Sequence, residues 1–208
     1  QLEQVIKKRP EYASQKEIRI DSIKSQINQK LSTEKAYNLY FRIFQEYYTY
    51  RSDSAFFYID LAMKQAKLIK NNYYTDQCVI HQALLLATTG YFSQALASLN
   101  NINRHELSDS LLFDYYSAYE WVYSVWSEYL NDNLYTPEYK KLEVIYTDSM
   151  LQVLPKSSAE YYYWKGEYLA RTGKQEEAEL AYQQALIGLP VNSRLYACVT
   201  CGIAFTYM

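Results

Sequence analysis

The amino-acid sequence predicts an all-α fold, a right-handed solenoid of antiparallel helix pairs behind a long N-terminal helix. Three observations point to it. Small residues recur at Ala83, Ala118, Gly166 and Gly202, spaced 35, 48 and 36 positions apart. Apolar residues form 49% of the 208-residue chain, enough for a continuous core, and fall mostly at helical spacing. Only 5 Gly and 4 Pro are present, too few for the many turns of an all-β protein.

The clearest copy of the frame runs from Tyr162 to Pro190. There Tyr162, Gly166, Gly173, Ala178, Tyr182, Ala185 and Pro190 follow at spacings of 4, 7, 5, 4, 3 and 5. Gly166 and Ala178 suit the point where two helices touch, since only small residues let the backbones approach. Tyr182 fills the space beside them, Gly173 permits the tight turn and Pro190 closes the second helix. This is the tetratricopeptide (TPR) frame.

Each element follows in order. Residues 1–35 form an N-terminal helical segment. A short helix over 2–8 leads to Pro10 in a first helical turn, and a charged helix over 11–30 carries the stripe Ile18, Ile20, Ile23 and Ile27. Ser32 or Thr33 caps the next helix. Repeat one spans about 36–71, with Ser52-Asp53-Ser54 as the N-cap stretch of its second helix and Ala55, Ile59 and Ala62 as contact positions. Repeat two, about 76–104, places Ala83 in its first helix, Gly90 in the turn, and Ala95, Leu99 and Ile102 in its second. Repeat three, about 108–155, has helices over 108–130 and 137–154, with Ala118 in the small position and Pro155 at the end. The 48-residue spacing requires helices about two turns longer than usual, or an extended loop. Repeat four is 159–190. Asn192 then caps the first helix of a further repeat over 192–208.

Charge and composition exclude several functions. The formal net charge is −2, which argues against a nucleic-acid surface on this chain. Residues 1–35 hold eight Lys/Arg against five Asp/Glu, a bias that fits a solvated helix face. No apolar run reaches the 18 residues of a membrane span, and no signal peptide is visible at Gln1. The chain reads as a segment of a longer protein, with membrane contact only through segments outside it.

Catalytic and metal chemistry are also not indicated. His105-Glu106-Leu107-Ser108-Asp109 begins like a zinc-protease helix motif, but Asp109 replaces the second histidine and the segment lies between repeats. Cys198 and Cys201 form a C-x-x-C, yet nothing β-like precedes them, so they read as small helix-packing residues. Cys78 belongs inside another helix, and His81 reads as a core or groove histidine. There is no phosphate loop and no nucleophile–base pair at recognisable spacing. No catalytic residue, metal ligand or cofactor is assigned.

What stands out chemically is tyrosine, 25 of 208 residues. A TPR concave surface is lined by the first helix of each pair. The frame places Tyr37, Tyr40, Phe44, Tyr47 and Tyr48 there in repeat one, Tyr115, Tyr119 and Tyr123 in repeat three, and Tyr163, Glu167 and Arg171 in repeat four. Such a stripe suits recognition of a protein, a peptide or a glycan. The same spacing equally describes inter-helix core, and the N-terminal helix lying across repeat one would cover its tyrosines.

The lead-in LEQVIKKRPEYASQKEIRI from Leu2 to Ile20 is followed by Leu39-Tyr40, Asp53-Ser54-Ala55, the run Thr89 to Leu96, Asp148-Ser149-Met150 and Leu154-Pro155. Together these resemble the N-terminal part of a Bacteroidetes family of TPR-containing transcriptional regulators described as DUF6377. The resemblance covers nearly the whole chain. It implies an exported, periplasmic sensor region of a membrane-anchored regulator, with a membrane helix, coiled coil and DNA-binding end further on. No functional residue transfers. The expected function is a non-enzymatic sensor or protein-interaction domain; the alternative is a homo-oligomerisation scaffold without a ligand.

Overall fold

The computed structural model describes residues 7–28 and 30–207. The helix expected over 2–8 therefore lies largely outside the described residues. Among those described there are ten α-helices, two short 3-10 turns and no strand, so the fold is all-α. No helix among them is long and apolar enough to cross a membrane. The chain divides into two compact units, residues 1–91 and 92–208, and the division falls inside repeat two.

The first unit contains α1 (Arg9–Lys24), a 3-10 turn (Ser25–Asn28), α2 (Thr33–Tyr48), α3 (Ser52–Ile69) and α4 (Asn72–Thr88). Pro10 sits in the first turn of α1, where its missing N–H costs nothing. The long N-terminal helix is shorter than the sequence predicts, ending in the 3-10 turn. Ser32 caps α2, its hydroxyl accepting from the Lys35 N–H. Ser52 does not cap α3: Arg51 holds the extended cap position without a side-chain bond, and Ser52 is already helical. Lys70 turns left-handed at the end of α3, and Asn71 caps α4 by accepting from Tyr73 N–H. Consecutive helices pack on one another. Ala55, Ile59, Ala62 and Ala66 of α3 are buried against an aromatic α2 face of Tyr37, Phe41, Phe44 and Tyr47. The N-terminal helix belongs to this same core. Ile20 and Ile23 are buried in it, and Lys24 Nζ donates to Tyr47 Oη at 2.9 Å.

The second unit contains α5 (Phe92–Asn100), a 3-10 turn (Arg104–Glu106), α6 (Asp109–Leu130), α7 (Thr136–Val153), α8 (Ala159–Arg171), α9 (Gln175–Leu186) and α10 (Arg194–Thr206). Helices α6 and α7 run 22 and 18 residues, against 13 and 12 in α8 and α9, so longer helices account for the wide repeat-three spacing. Helices α6–α7 and α8–α9 form the closely packed pairs, and α10 stacks on both α8 and α9. Gly173, at φ +82°, makes the α8–α9 turn.

Two expected helix boundaries differ. Helix α9 stops at Leu186 because Gly188 turns left-handed at φ +78°; Pro190 lies beyond, and its carbonyl accepts from Ser193 N–H at 2.9 Å. Ser193 rather than Asn192 caps α10. Its backbone is extended, and its hydroxyl accepts from Tyr196 N–H at 3.1 Å.

The small positions are where the second unit closes. Tyr182, 2% exposed, projects from α9 between Gly166 of α8 and Gly202 of α10. A Cβ on Gly166 would stand 2.5 Å from Tyr182 Cδ1, and one on Gly202 2.7 Å from Cζ. Burying such a ring contributes about 1.5–3 kcal/mol, available only because both neighbours lack side chains. Ala55, Ala83, Ala95, Ala118, Ala178 and Ala185 are likewise fully buried. Gly90 sits after α4 at φ +88°.

Candidate interaction groove

The first helices α8 and α10 of successive repeats lie side by side, and Tyr182 fixes their separation. Between them is a cleft of about 380 Å³ lined by Tyr163 and Glu167 of α8 and by Arg194, Ala197, Cys198, Cys201, Gly202 and Phe205 of α10. A second hollow of about 300 Å³ adjoins it, lined by Glu167, Ala170, Arg171, Gln175, Tyr182, Gly202, Phe205 and Thr206. The walls are mostly apolar, and Phe205 is 70% exposed at the rim. Glu167 is shared by both hollows.

Beneath Glu167 is a charge cluster drawn from three helices. Arg171 Nη2 lies 2.8 Å from Glu120 Oε1 of α6, 3.1 Å from Glu143 Oε1 of α7 and 3.3 Å from Glu167 Oε2 of its own helix. Arg171 Nη1 donates to Thr147 Oγ1 at 2.8 Å. Tyr182 Oη donates to Glu167 Oε1 at 2.8 Å. One guanidinium thus serves three carboxylates, and the floor of the cleft keeps an excess of negative charge. Burial, reinforced by Glu143 and Glu167, pushes the Glu120 carboxyl up to about 7, against the opposing pull of Arg171. Burial also raises the Tyr163 and Tyr182 hydroxyls, with Glu167 adding to both, so both rings stay neutral donors. Nearby on α6, burial and then Glu160 raise the Asp114 carboxyl to about 6.

The other aromatic residues expected in a groove lie elsewhere. Tyr37 and Phe44 are each 1% exposed. Tyr37 Oη donates to Gln77 Oε1 at 2.7 Å, and Phe44 packs edge-on with His81 and Tyr48. Tyr40 is half-buried beside Tyr58 of α3, Tyr48 is half-buried, and Tyr47 is covered by Lys24. In α6, Tyr115 and Tyr119 are buried. Tyr119 stacks on Tyr146 of α7 with centroids 4.6 Å apart, and half-buried Tyr123 stacks on the same ring at 5.8 Å. Tyr37, Phe44, Tyr47, Tyr115 and Tyr119 are buried core, so the groove expectation is corrected for them, while Tyr40, Tyr48 and Tyr123 are half-buried against neighbouring rings. Tyr163, Glu167 and Arg171 are the expected residues that line the hollows.

Other expectations also change. Val199 and Gly202 are the buried positions of α10, whereas Cys198 is half-buried and Cys201 exposed, so the C-x-x-C lines the cleft instead of packing the core. Cys78 is buried in α4. His81 is packed against Phe41 and Phe44, and burial lowers its imidazole to about 4. His105 sits in the 3-10 turn, its N–H donating to Asn103 Oδ1. Glu120 and Glu143 were not among the expected residues. Glu120 carries a sequence signal nonetheless, as the one charge in the apolar and aromatic run from Tyr115 to Ser127.

Among known families, the SusR N-terminal TPR domain matches the chain over residues 6–208. The chain belongs to that family. The SusR-type TPR domain is therefore a helical repeat of the class that presents concave surfaces for protein binding. No curated protein and no solved structure matches it.

Proposed function

We propose that this SusR-type TPR domain is a non-enzymatic interaction module whose partner segment lies in the cleft between α8 and α10. The observation that carries this is the pairing of an open, mostly apolar cleft with a charged floor, formed by successive first helices. The TPR surface that ordinarily receives a partner is that same one. A protein or peptide segment with an apolar side chain would fill the space beside Phe205 and Ala197, while its polar groups meet Tyr163 and Glu167.

The resemblance to Bacteroidetes regulators extends the proposal to biology. The domain would be the periplasmic sensor of a membrane-anchored transcriptional regulator, passing occupancy of the cleft along its helical stack. A photo-crosslinker placed at Ala197 should form an adduct with the partner, and Tyr163→Ala should reduce that adduct at least fivefold. Undiminished capture by Tyr163→Ala, with the fold intact by circular dichroism, would reject the cleft as the binding site.

A further inference from the structure

The extra length of α6 and α7 makes a second surface, independent of the cleft. Their shared tip, residues 126–139, is tightly closed. Asn131 turns left-handed, Asp132 Oδ1 accepts from the N–H groups of Leu134 at 2.6 Å and Tyr135 at 2.7 Å, and the Thr136 hydroxyl reaches the Ser127 carbonyl. This hairpin end nonetheless leaves Tyr129 77%, Leu134 73% and Tyr135 51% exposed. The exposed rings join a row that continues inward. Tyr135 stacks on Tyr139 at 6.4 Å, Tyr139 meets Trp126 at 4.8 Å, and Trp126 stacks on Phe92 at 5.3 Å.

Such an exposed aromatic patch on a rigid element is a recognised mark of an interaction site. Its charge says what kind. The carboxylate of Glu138 is exposed beside the row, and Asp132 stands at its end; both act electrostatically on the Tyr139 hydroxyl. Neither carboxylate forms an ion pair among the described residues, and Lys140 and Lys141 on the same helix pair with neither. Ring faces carry partial negative charge, so rings and carboxylates together present one sign of potential.

We propose that the α6–α7 tip is a docking platform for an arginine-bearing segment of a partner protein. A guanidinium fits better than an ammonium, because its flat face stacks on Tyr135 or Tyr129 while its edge bonds the Glu138 carboxylate. An acidic segment is repelled, and a neutral sugar leaves the carboxylates unmatched.

The test uses the whole 208-residue chain and a blocked Gly-Arg-Arg-Gly peptide, followed through backbone amide resonances. The peptide should shift Tyr129, Leu134, Tyr135 and Glu138. Tyr129→Ala or Tyr135→Ala should each weaken binding about fivefold, the effect of one exposed cation–π contact. Glu138→Gln should weaken it comparably, and Tyr163→Ala should leave it unchanged, which separates this surface from the cleft. Tyr129, Tyr135 and Glu138 are exposed, so the tip variants keep their fold, and circular dichroism checks this for them and for Tyr163→Ala. Absence of tip shifts at about 10 mM peptide, a concentration that reveals even millimolar binding, overturns the proposal. Equal shifts with Gly-Glu-Glu-Gly also overturn it, as do tip shifts with cellotetraose but not with the arginine peptide.

Discussion

Replacing Glu120 with glutamine tests the charge cluster beneath the cleft. Glutamine keeps the shape of glutamate and removes its charge, mimicking the protonated carboxyl. Glu120 is 3% exposed, and burial raises its pKa from 4.5 to about 7. The folded chain therefore holds a proton that the unfolded chain releases between those values. The sign follows: the associated stability is fully present below about pH 4.5 and is lost as pH rises through 7. At 1.36 kcal/mol per pH unit of displacement, the loss is about 3 kcal/mol. Glu120→Gln should therefore match the native chain at pH 4.5 and exceed it by up to about 3 kcal/mol at pH 8. Urea unfolding followed by tryptophan fluorescence suits the measurement, because Trp121, Trp126 and Trp164 all lie in the second unit and report it alone. A variant less stable than native at pH 8, by more than at pH 4.5, would show that Arg171 outweighs burial and refute the reasoning.

Two further outcomes follow from packing. Gly166→Ala puts a Cβ against the Tyr182 ring, which is itself almost fully buried and cannot swing away. It should cost about 1–3 kcal/mol, and less when combined with Tyr182→Leu, as a double-mutant cycle of melting temperatures would reveal. His81 should stay neutral down to about pH 4, as read from its imidazole carbon resonances. Because its folded pKa lies below 6.5, the stability it confers on the first unit is present above pH 6.5 and is lost as pH falls towards 4. Titration near 6.5 would contradict its packing between Phe41 and Phe44.

The repeat frame was legible because its residues act through local geometry. Gly173 permits a left-handed turn wherever it stands, and Ser32 caps its helix through a bond to the third residue on. Gly166 and Ala178 declare a close approach simply by lacking bulk. Even here, helix ends shifted where two local signals competed. Gly188 stopped α9 before Pro190 could, and Ser193 capped α10 in place of its neighbour Asn192.

The orientation of the tyrosines was not legible. A stripe at positions three and four apart defines one helix face, but not which neighbouring helix covers it. Tyr115 and Tyr163 each stand three residues before the small position of their first helix; one is buried against Tyr119, and the other opens on a cleft. Glu167 stands one turn before Arg171 on the same helix and was legible, but Glu120 and Glu143 come from α6 and α7, so no spacing along the chain announces them. Local sterics wrote the helices and their turns into the sequence. Only tertiary packing, within a pair and of one pair on the next, decided which aromatic rings became core, and where unbalanced charge would face a partner.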